Sequence, residues 1–390
     1  MTQSTIQLPG TLQALPPLSL YIHIPWCVRK CPYCDFNSHE ARAAIPEQDY
    51  VSALIADLEQ ALPLIWGRRV HSIFFGGGTP SIFSPNAIAD ILSMVRARVP
   101  LTYEAEVTLE ANPGTVDESR FTGFRDAGVN RLSLGIQSFN SRHLTALGRI
   151  HDERQARSAA EAALKIFERV NFDLMYALPM QSMEEALVDL RSACDLGPGH
   201  LSCYHLTLEP NTPFYRTPPP LPDDDASAAM QEAIEAELAA HGYLHYETSA
   251  FAKPGQQCRH NLNYWLFGDY LGIGAGAHSK LSFHDRIIRQ SRHRHPASYL
   301  QKAIEGKTVD QEQVLSSEDL HFEFMMNALR LTEGFEVPLF QERTGLPIGI
   351  IEKKLELAET RGLIERSPVR IKPTLRGQRF LNELLQMFLD

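Results

Sequence analysis

The sequence has little positive charge to spare. Lys and Arg number 37 against 47 Asp and Glu, a formal net charge of -10 over 390 residues, which disfavours a protein whose main task is coating nucleic acid or anionic lipid. Long apolar runs are missing too. No stretch approaches the ~20 apolar residues a membrane helix needs, and Met1 to Pro17 has no positive charge ahead of an apolar core. A soluble, cytoplasmic protein without a membrane span is expected. Cysteine is scarce: six in the whole chain are too few for a disulfide scaffold. Low-complexity tracts and solenoid repeats are absent. With 44% hydrophobic and 22% charged residues, the chain is neither disordered nor fibrous, and its length suits two or three globular domains with ordinary cores.

What is present is organised by alternation. Apolar or β-branched runs at Leu18-Ile24, Val70-Phe75, Tyr103-Glu110, Arg131-Ser138, Asn171-Leu178 and Leu201-Glu209 are separated by stretches of helical periodicity. Such βα units predict an α/β fold. Right-handed crossovers place the six strands parallel in one sheet, a complete or partial (βα)6 barrel, with functional loops at the carboxyl ends of the strands. Pro218-Pro219-Pro220 and then Asp223-Asp224-Asp225 mark a boundary and a helix start. Ser316-Ser317-Glu318-Asp319 predicts a capping box, followed by further helices and a hairpin near Leu363-Ile364 and Val369-Ile371. The expected division is an N-terminal extension over 1–17, the barrel over 18–217, a linker and aromatic-rich region over 218–315, and a winged-helix-like C-terminal α+β module over 316–390. The module's Arg361, Arg366, Arg370, Lys372, Arg376 and Arg379 read as a solvated hairpin face rather than a nucleic-acid surface.

Three cysteines lie within eight residues, Cys27-x3-Cys31-x2-Cys34, on a loop directly after the first strand. Pro25 and Pro32 keep that loop from being helical throughout, so its thiolates are free to converge on one centre. Unpaired structural thiols are one alternative, and zinc is another, which would ask for a fourth ligand, with His23 and His39 the local candidates. A [4Fe-4S] cube held by three thiolates leaves one iron open, which an amino acid's amino and carboxylate groups can chelate. Gly76-Gly77-Gly78-Thr79-Pro80 follows the second strand and allows close backbone approach. It is not a dinucleotide fingerprint, since GxGxxG is absent.

The CxxxCxxC motif after the first strand resembles that of the radical S-adenosylmethionine (SAM) superfamily. Tyr21-Ile22-His23-Ile24-Pro25-Trp26-Cys27, Cys31-Pro32-Tyr33-Cys34-Asp35-Phe36, the glycine tract and His260-Asn261-Leu262-Asn263-Tyr264-Trp265 are similar to the branch containing oxygen-independent coproporphyrinogen III oxidase and the heme chaperones of the HemW family. The likeness runs from about Leu18 to the C-terminus. It implies a partial radical SAM barrel followed by a family-specific C-terminal region. It also implies a cluster on Cys27, Cys31 and Cys34, SAM against Gly77, Gly78, Thr79 and Ala277, and SAM-binding roles for Glu110, Gln137, Arg149 and Asp173. In the oxidase the last three of these four match residues assigned to a second SAM. Tyr21 and Tyr33 match positions adjacent to the ligand.

The oxidase carries a fourth cysteine two residues after the third, where this chain has Phe36, and a longer N-terminal extension than the 20 residues that precede Tyr21 here. Both differences point to the chaperone branch, hence to heme as cargo, to heme-accepting proteins such as respiratory enzymes as partners, and to a homodimer as a family expectation. The HNxxYW motif implies heme contact by His260, Tyr264 and Trp265. If helical, it puts His260 and Tyr264 on one face, and Cys258 is a second conceivable axial ligand. The competing expectations are oxidative decarboxylation of porphyrinogen propionates and, more distantly, methyl transfer or heme degradation on the same scaffold.

Overall fold

The structure, a computed structural model, describes residues 11–389; the first ten residues of the expected extension lie outside them. Six strands form in sequence order, β1 (Leu18–Ile24), β2 (Val70–Gly77), β3 (Leu101–Ala111), β4 (Arg131–Gln137), β5 (Arg169–Tyr176) and β6 (His200–His205), each parallel to the one before. The fold class is thus the expected α/β one. β1 keeps its predicted bounds, and the other five shift by one to four residues at one or both ends. β6 stops at His205 because its ladder partner β5 ends at Tyr176, the residue opposite.

Helices cover the outer face for reasons visible in the sequence. Helix α1 (Glu47–Ala61) follows the cysteine loop, and α2 (Pro85–Arg98) is capped by Ser84, with Ile88, Ile91, Leu92 and Val95 buried along one stripe. Helices α3 (Glu118–Ala127), α4 (Glu153–Ile166) and α5 (Met183–Leu196) start at Asp117, Asp152 and Ser182; the last two have full capping boxes, and α5 ends on left-handed Gly197. As predicted, Asp223 caps the next helix, α6 (Asp224–Ala240).

The strands alternate with period 2. Leu18, Leu20, Ile22, Ile73, Phe75, Val107, Leu109, Leu132, Leu134, Val170, Phe172 and Leu201 join the apolar core beneath the helices. The intervening residues, among them Ser19, Tyr21, His23, Ser72, Glu106, Thr108, Glu110, Arg131, Ser133, Asn171, Asp173, His200 and Ser202, form the other, polar face. Curvature closes that face into a lumen: Tyr204 of β6 feels the charges of Asp173 on β5 and Glu110 on β3. Tyr204, near the end of β6, keeps 41% of its surface exposed, whereas Thr108, Arg131, Asn171 and Ser202 on the same face are buried.

The segment after Pro220 extends this same sheet at both edges. β7 (Leu244–Glu247) and β8 (Ala250–Ala252) form an antiparallel pair whose β8 adds antiparallel to β6, while β9 (Asp269–Ile273) lies parallel to β1 and is followed outward by β10 (His278–Ser282), β11 (Ile287–Arg292) and β12 (Val309–Val314), giving twelve strands in one sheet. Short helix α7 (Arg259–Trp265) and helix α8 (Pro296–Ile304) lie between them. Two buried charge networks bind the extension: Asp57 takes Arg292, Thr308 and Tyr299 at 2.7–3.0 Å, and Asp269 takes Lys280 and Arg68 at 2.8 Å. Each buried carboxylate is answered by a cation and hydroxyls, as its desolvation demands.

The C-terminal module starts at the predicted capping box, Ser316 with Asp319, which opens α9 (Ser317–Ala328). With α10 (Val337–Thr344), α11 (Glu352–Thr360) and a small sheet of Phe335–Glu336, Ile364–Arg366 and Arg370–Pro373, it surrounds a second core centred on Phe324. Phe267 from the large sheet's side belongs to that core. The module's basic residues are largely neutralised in place: Arg366 pairs with Glu352, Arg370 with Glu336, Lys372 with Glu365, and Arg379 with Glu235 of α6.

Candidate functional site

The cysteine loop is shaped by backbone bonds. Trp26 and Cys27 pair with His39 and Glu40 in a short parallel ladder, which closes the loop at its base. Lys30 spans it, donating to the carbonyls of Phe36 and Ser38 at 3.1 and 3.2 Å. Close to that ladder, Asn37 is tied to the lumen by His23. A carbonyl only accepts, so His23 Nε2 carries the proton it shares with Asn37 O at 2.8 Å, and Nδ1 accepts from the Tyr21 hydroxyl at 3.0 Å. Burial lowers the His23 pKa to about 4, which keeps it neutral in this role. Asn37 in turn donates to Ala275 O and Arg294 O, both at 3.0 Å, and so joins the loop to the β9–β10 turn.

The thiols fit a cluster in their chemistry. Burial raises the pKa of Cys27 and Cys34, so as thiolates they call for the positive charge of bound iron. Arg149 faces Cys31 Sγ at 3.6 Å and donates to Gly135 O at 2.9 Å, joining the loop to β4. Among the described residues no three His, Cys, Asp or Glu side chains are spaced to hold a single metal ion. A cube, which takes each thiolate on a separate iron, requires no such convergence. Val28, Cys31, Thr79 and Arg149 line a small cleft beside the loop.

The glycine tract meets the protein more closely than sequence alone suggests. A Cβ on Gly78 would lie 2.4 Å from Trp26 O, and one on Gly77, whose φ is +113°, 2.5 Å from the His23 ring. Gly78 N–H donates to Ile24 O at 2.7 Å and Thr79 N–H to Trp26 O at 2.8 Å, so the tract is laid directly on the cysteine strand. Gly77 N–H also donates to Glu110 Oε2 at 3.3 Å. Burial, followed by the charge of Asp173, pushes the Glu110 pKa up to about 8. Asp173 accepts from Ser133 at 3.1 Å and Asn171 at 2.8 Å, yet burial still raises its pKa. Gln137 has φ +66° at the end of β4, a left-handed conformation unusual for its residue type and held by the surrounding strands. Tyr33 packs on Phe214 and lies close to Cys31 and Arg149. Ala277 is buried in the β9–β10 turn, its N–H and C=O bonded to Gly274 O and Arg292 N.

The HNxxYW motif is helical, as the shared-face reading requires, and lies at the opposite end of the lumen. Glu106 accepts from His260 N–H at 3.1 Å and from the Cys258 thiol at 3.7 Å, anchoring the start of α7 to β3. His260 is 1% exposed, stacks on Phe74, and has both ring nitrogens engaged, with Ser72 at 2.9 Å and Tyr264 at 3.2 Å. Burial lowers its pKa to about 3. His260 and Tyr264 therefore plug the amino end of the lumen, and in this arrangement neither imidazole nitrogen is free. Trp265 points away toward the C-terminal module, where Arg330 lies 5.0 Å from its ring.

The site residues thus fall into two groups and a pair between them. Tyr33, Gly77, Gly78, Thr79, Glu110, Gln137, Arg149 and Ala277 gather with the cysteines at the carboxyl end of the strands, His260 and Tyr264 close the other end, and Tyr21 and Asp173 stand mid-strand between them, Tyr21 with its ring 6.5 Å from that of His260. Sequence reasoning passed over the polar lumen row between them, including Arg131, Thr108 and Asn171. The signal was present as the polar alternation within each strand.

Residues 21–193 match the Radical SAM superfamily and 315–380 the HemN C-terminal domain. The chain is 50% identical to the heme chaperone HemW of Escherichia coli over 96% of its own length and 99% of that protein. The chain belongs to the HemW family. The HemW of Haemophilus influenzae is 49% identical over 96% of this chain and 98% of its own, and that of Mycobacterium tuberculosis is 34% identical over 99% of both. The structure of E. coli coproporphyrinogen III oxidase (HemN), a radical SAM enzyme, superposes with a TM-score of 0.82 at 24% identity, covering 96% of this chain and 90% of the other. That likeness concerns the fold, a partial radical SAM barrel with its C-terminal module. Phe36, two residues after Cys34, is 63% exposed at the edge of the cysteine loop.

Proposed function

We propose that this protein is a heme chaperone: it binds heme, carries a [4Fe-4S] cluster on Cys27, Cys31 and Cys34, binds SAM beside that cluster, and passes heme to acceptor proteins such as respiratory enzymes. The observation that carries the reading is near-complete alignment at 50% identity with a heme chaperone. Bound there, a cluster with one open iron supplies a chelation point for an aminoacyl head and a one-electron donor. The chain's own residues do the rest. Arg149 keeps an unpartnered Nε–H for a carboxylate, Glu110 and Asp173 accept from hydroxyl or ammonium groups, and Gln137 offers both donor and acceptor. Heme would occupy the lumen above His260 and Tyr264, edged by Tyr21, Phe74 and Tyr204. His260 acts here by holding the floor of the lumen.

The test is anaerobic. The cluster is reconstituted, heme is added, and the Soret band and any porphyrinogen product are followed with SAM and reductant present. Stoichiometric heme binding, transfer to an apo-acceptor and no porphyrinogen turnover are expected. Catalytic decarboxylation without stable heme binding would overturn the carrier reading in favour of the oxidase. A His260→Ala protein is expected to lose heme retention, and unchanged retention would count against the motif's role.

A further inference from the structure

The lumen floor carries more positive hydrogen-bonding capacity than the protein uses. Thr108, Arg131 and Arg169 stand in one register row across β3, β4 and β5. Arg131 is 2% exposed, and among the described residues its guanidinium makes no hydrogen bond and no ion pair. Thr108 Oγ1 and Arg169 Nε are buried beside it with no partner. Buried donors of this kind are rare because each forfeits its hydration without return.

The acids near Arg131 are committed elsewhere. Glu106 pairs with Arg169 at 3.1 Å, Asp173 accepts from Ser133 and Asn171, and the Tyr246 hydroxyl is held by His200 at 2.8 Å. Burial keeps the Cys258 thiol protonated, with its pKa raised to about 12. Glu106 is the carboxylate bonded to Arg169, and Asp173 is held by neutral donors, so among the described residues no carboxylate is bonded to the Arg131 guanidinium. A planar guanidinium with free donors selects a carboxylate.

We propose that Arg131, flanked by Thr108 and Arg169, is a carboxylate subsite on the lumen floor that receives a propionate of heme. This rests on the heme-carrier reading. A carboxylate chelated at the cluster does not reach it: Arg149 ties the cysteine loop to Gly135, which lies four residues, about 13 Å, along β4 from Arg131. The subsite gives the lumen a polarity, with the cluster at one end and the cargo's acidic edge at the other.

The test compares heme with its dimethyl ester on the full-length, cluster-reconstituted protein, followed by anaerobic Soret titration. Wild type is expected to bind heme about tenfold or more tightly than the diester, about 1.4 kcal/mol. R131Q should lose that preference by weakening heme alone, and R131K should retain most of it. The wild-type comparison needs no variant to fold. Equal binding of heme and diester to wild type, or an unchanged preference in R131Q, overturns the subsite and leaves the carrier reading standing. Absence of saturable heme binding to wild type overturns that reading itself. If R131Q weakens SAM binding in isothermal titration while heme binding is unchanged, the carboxylate is SAM's and the proposal fails.

Discussion

Glu110 shows how one side chain can tie the site to pH. Its pKa is raised to about 8 in the folded protein by burial and the neighbouring Asp173. A raised carboxyl contributes stability that is complete below its unfolded value and is lost as pH rises through the folded one. Between pH 5 and 8.5 the ligand-free protein should therefore lose thermal stability, and E110Q should flatten that part of the profile; scanning calorimetry across the range checks it, and parallel profiles would refute it. Glu110 was singled out by the family likeness; on its own it is a polar residue next to the end of its strand. Arg131, on the first residue of its strand, was not legible, because reading a strand by its apolar members discards the alternate positions that face a polar lumen. His260 was legible as a motif, but only the fold reveals that Ser72 and Tyr264 occupy both its nitrogens.

At the scale of elements, the cysteine loop and the glycine tract are one unit. Gly78→Ala would gain about 0.4–1 kcal/mol from a stiffer unfolded chain, but its Cβ would stand 2.4 Å from Trp26 O, and overpacking against backbone costs about 1–3 kcal/mol or more. The clash wins. A lower denaturation midpoint together with poorer cluster retention by absorbance is expected, and intact retention would separate the two segments. A second element, α7, hangs from Glu106. Replacing it with Ala leaves His260 N–H and Arg169 without their partner and should cost about 3 kcal/mol; the measurement is urea unfolding alongside E106Q, which keeps an acceptor and should lose less. The strands and caps were readable from periodicity and from Ser or Asp at helix starts. The addition at the β6 edge was not, because β7 and β8 are four and three residues long and carry little pattern of their own.

For the whole molecule, two contacts compete to explain how the C-terminal module is held. Arg379 and Glu235 form a two-pronged pair at 2.7 Å, each about one-fifth exposed, and such a pair contributes about 1 kcal/mol or less. Phe324 is fully buried and meets Phe267, Phe335 and Phe340 edge-on. Phe324→Ala should cost about 3–5 kcal/mol, several times the coupling from an Arg379/Glu235 double-mutant cycle. Hydrogen exchange in F324A should then rise at Phe267 as well as in the module; a rise confined to the module would place the attachment elsewhere. That a helix opens at Ser316 was clear from its capping box. That the module's core reaches back to Phe267 depends on a tertiary contact no local pattern encodes.

The pairing of β1 with β9 sets an order of events on the ribosome. β1 carries the cysteine loop, yet its partner along one edge, residues 269–273, is made only after the five strands on the other side. At ordinary elongation rates that edge of the nascent chain stays open for roughly 10 to 50 s. Throughout that interval the three thiols are displayed on an unfinished sheet, with the Asn37 tether to Ala275 and Arg294 not yet available. Iron delivery during synthesis would meet a loose loop, and delivery after release a fastened one.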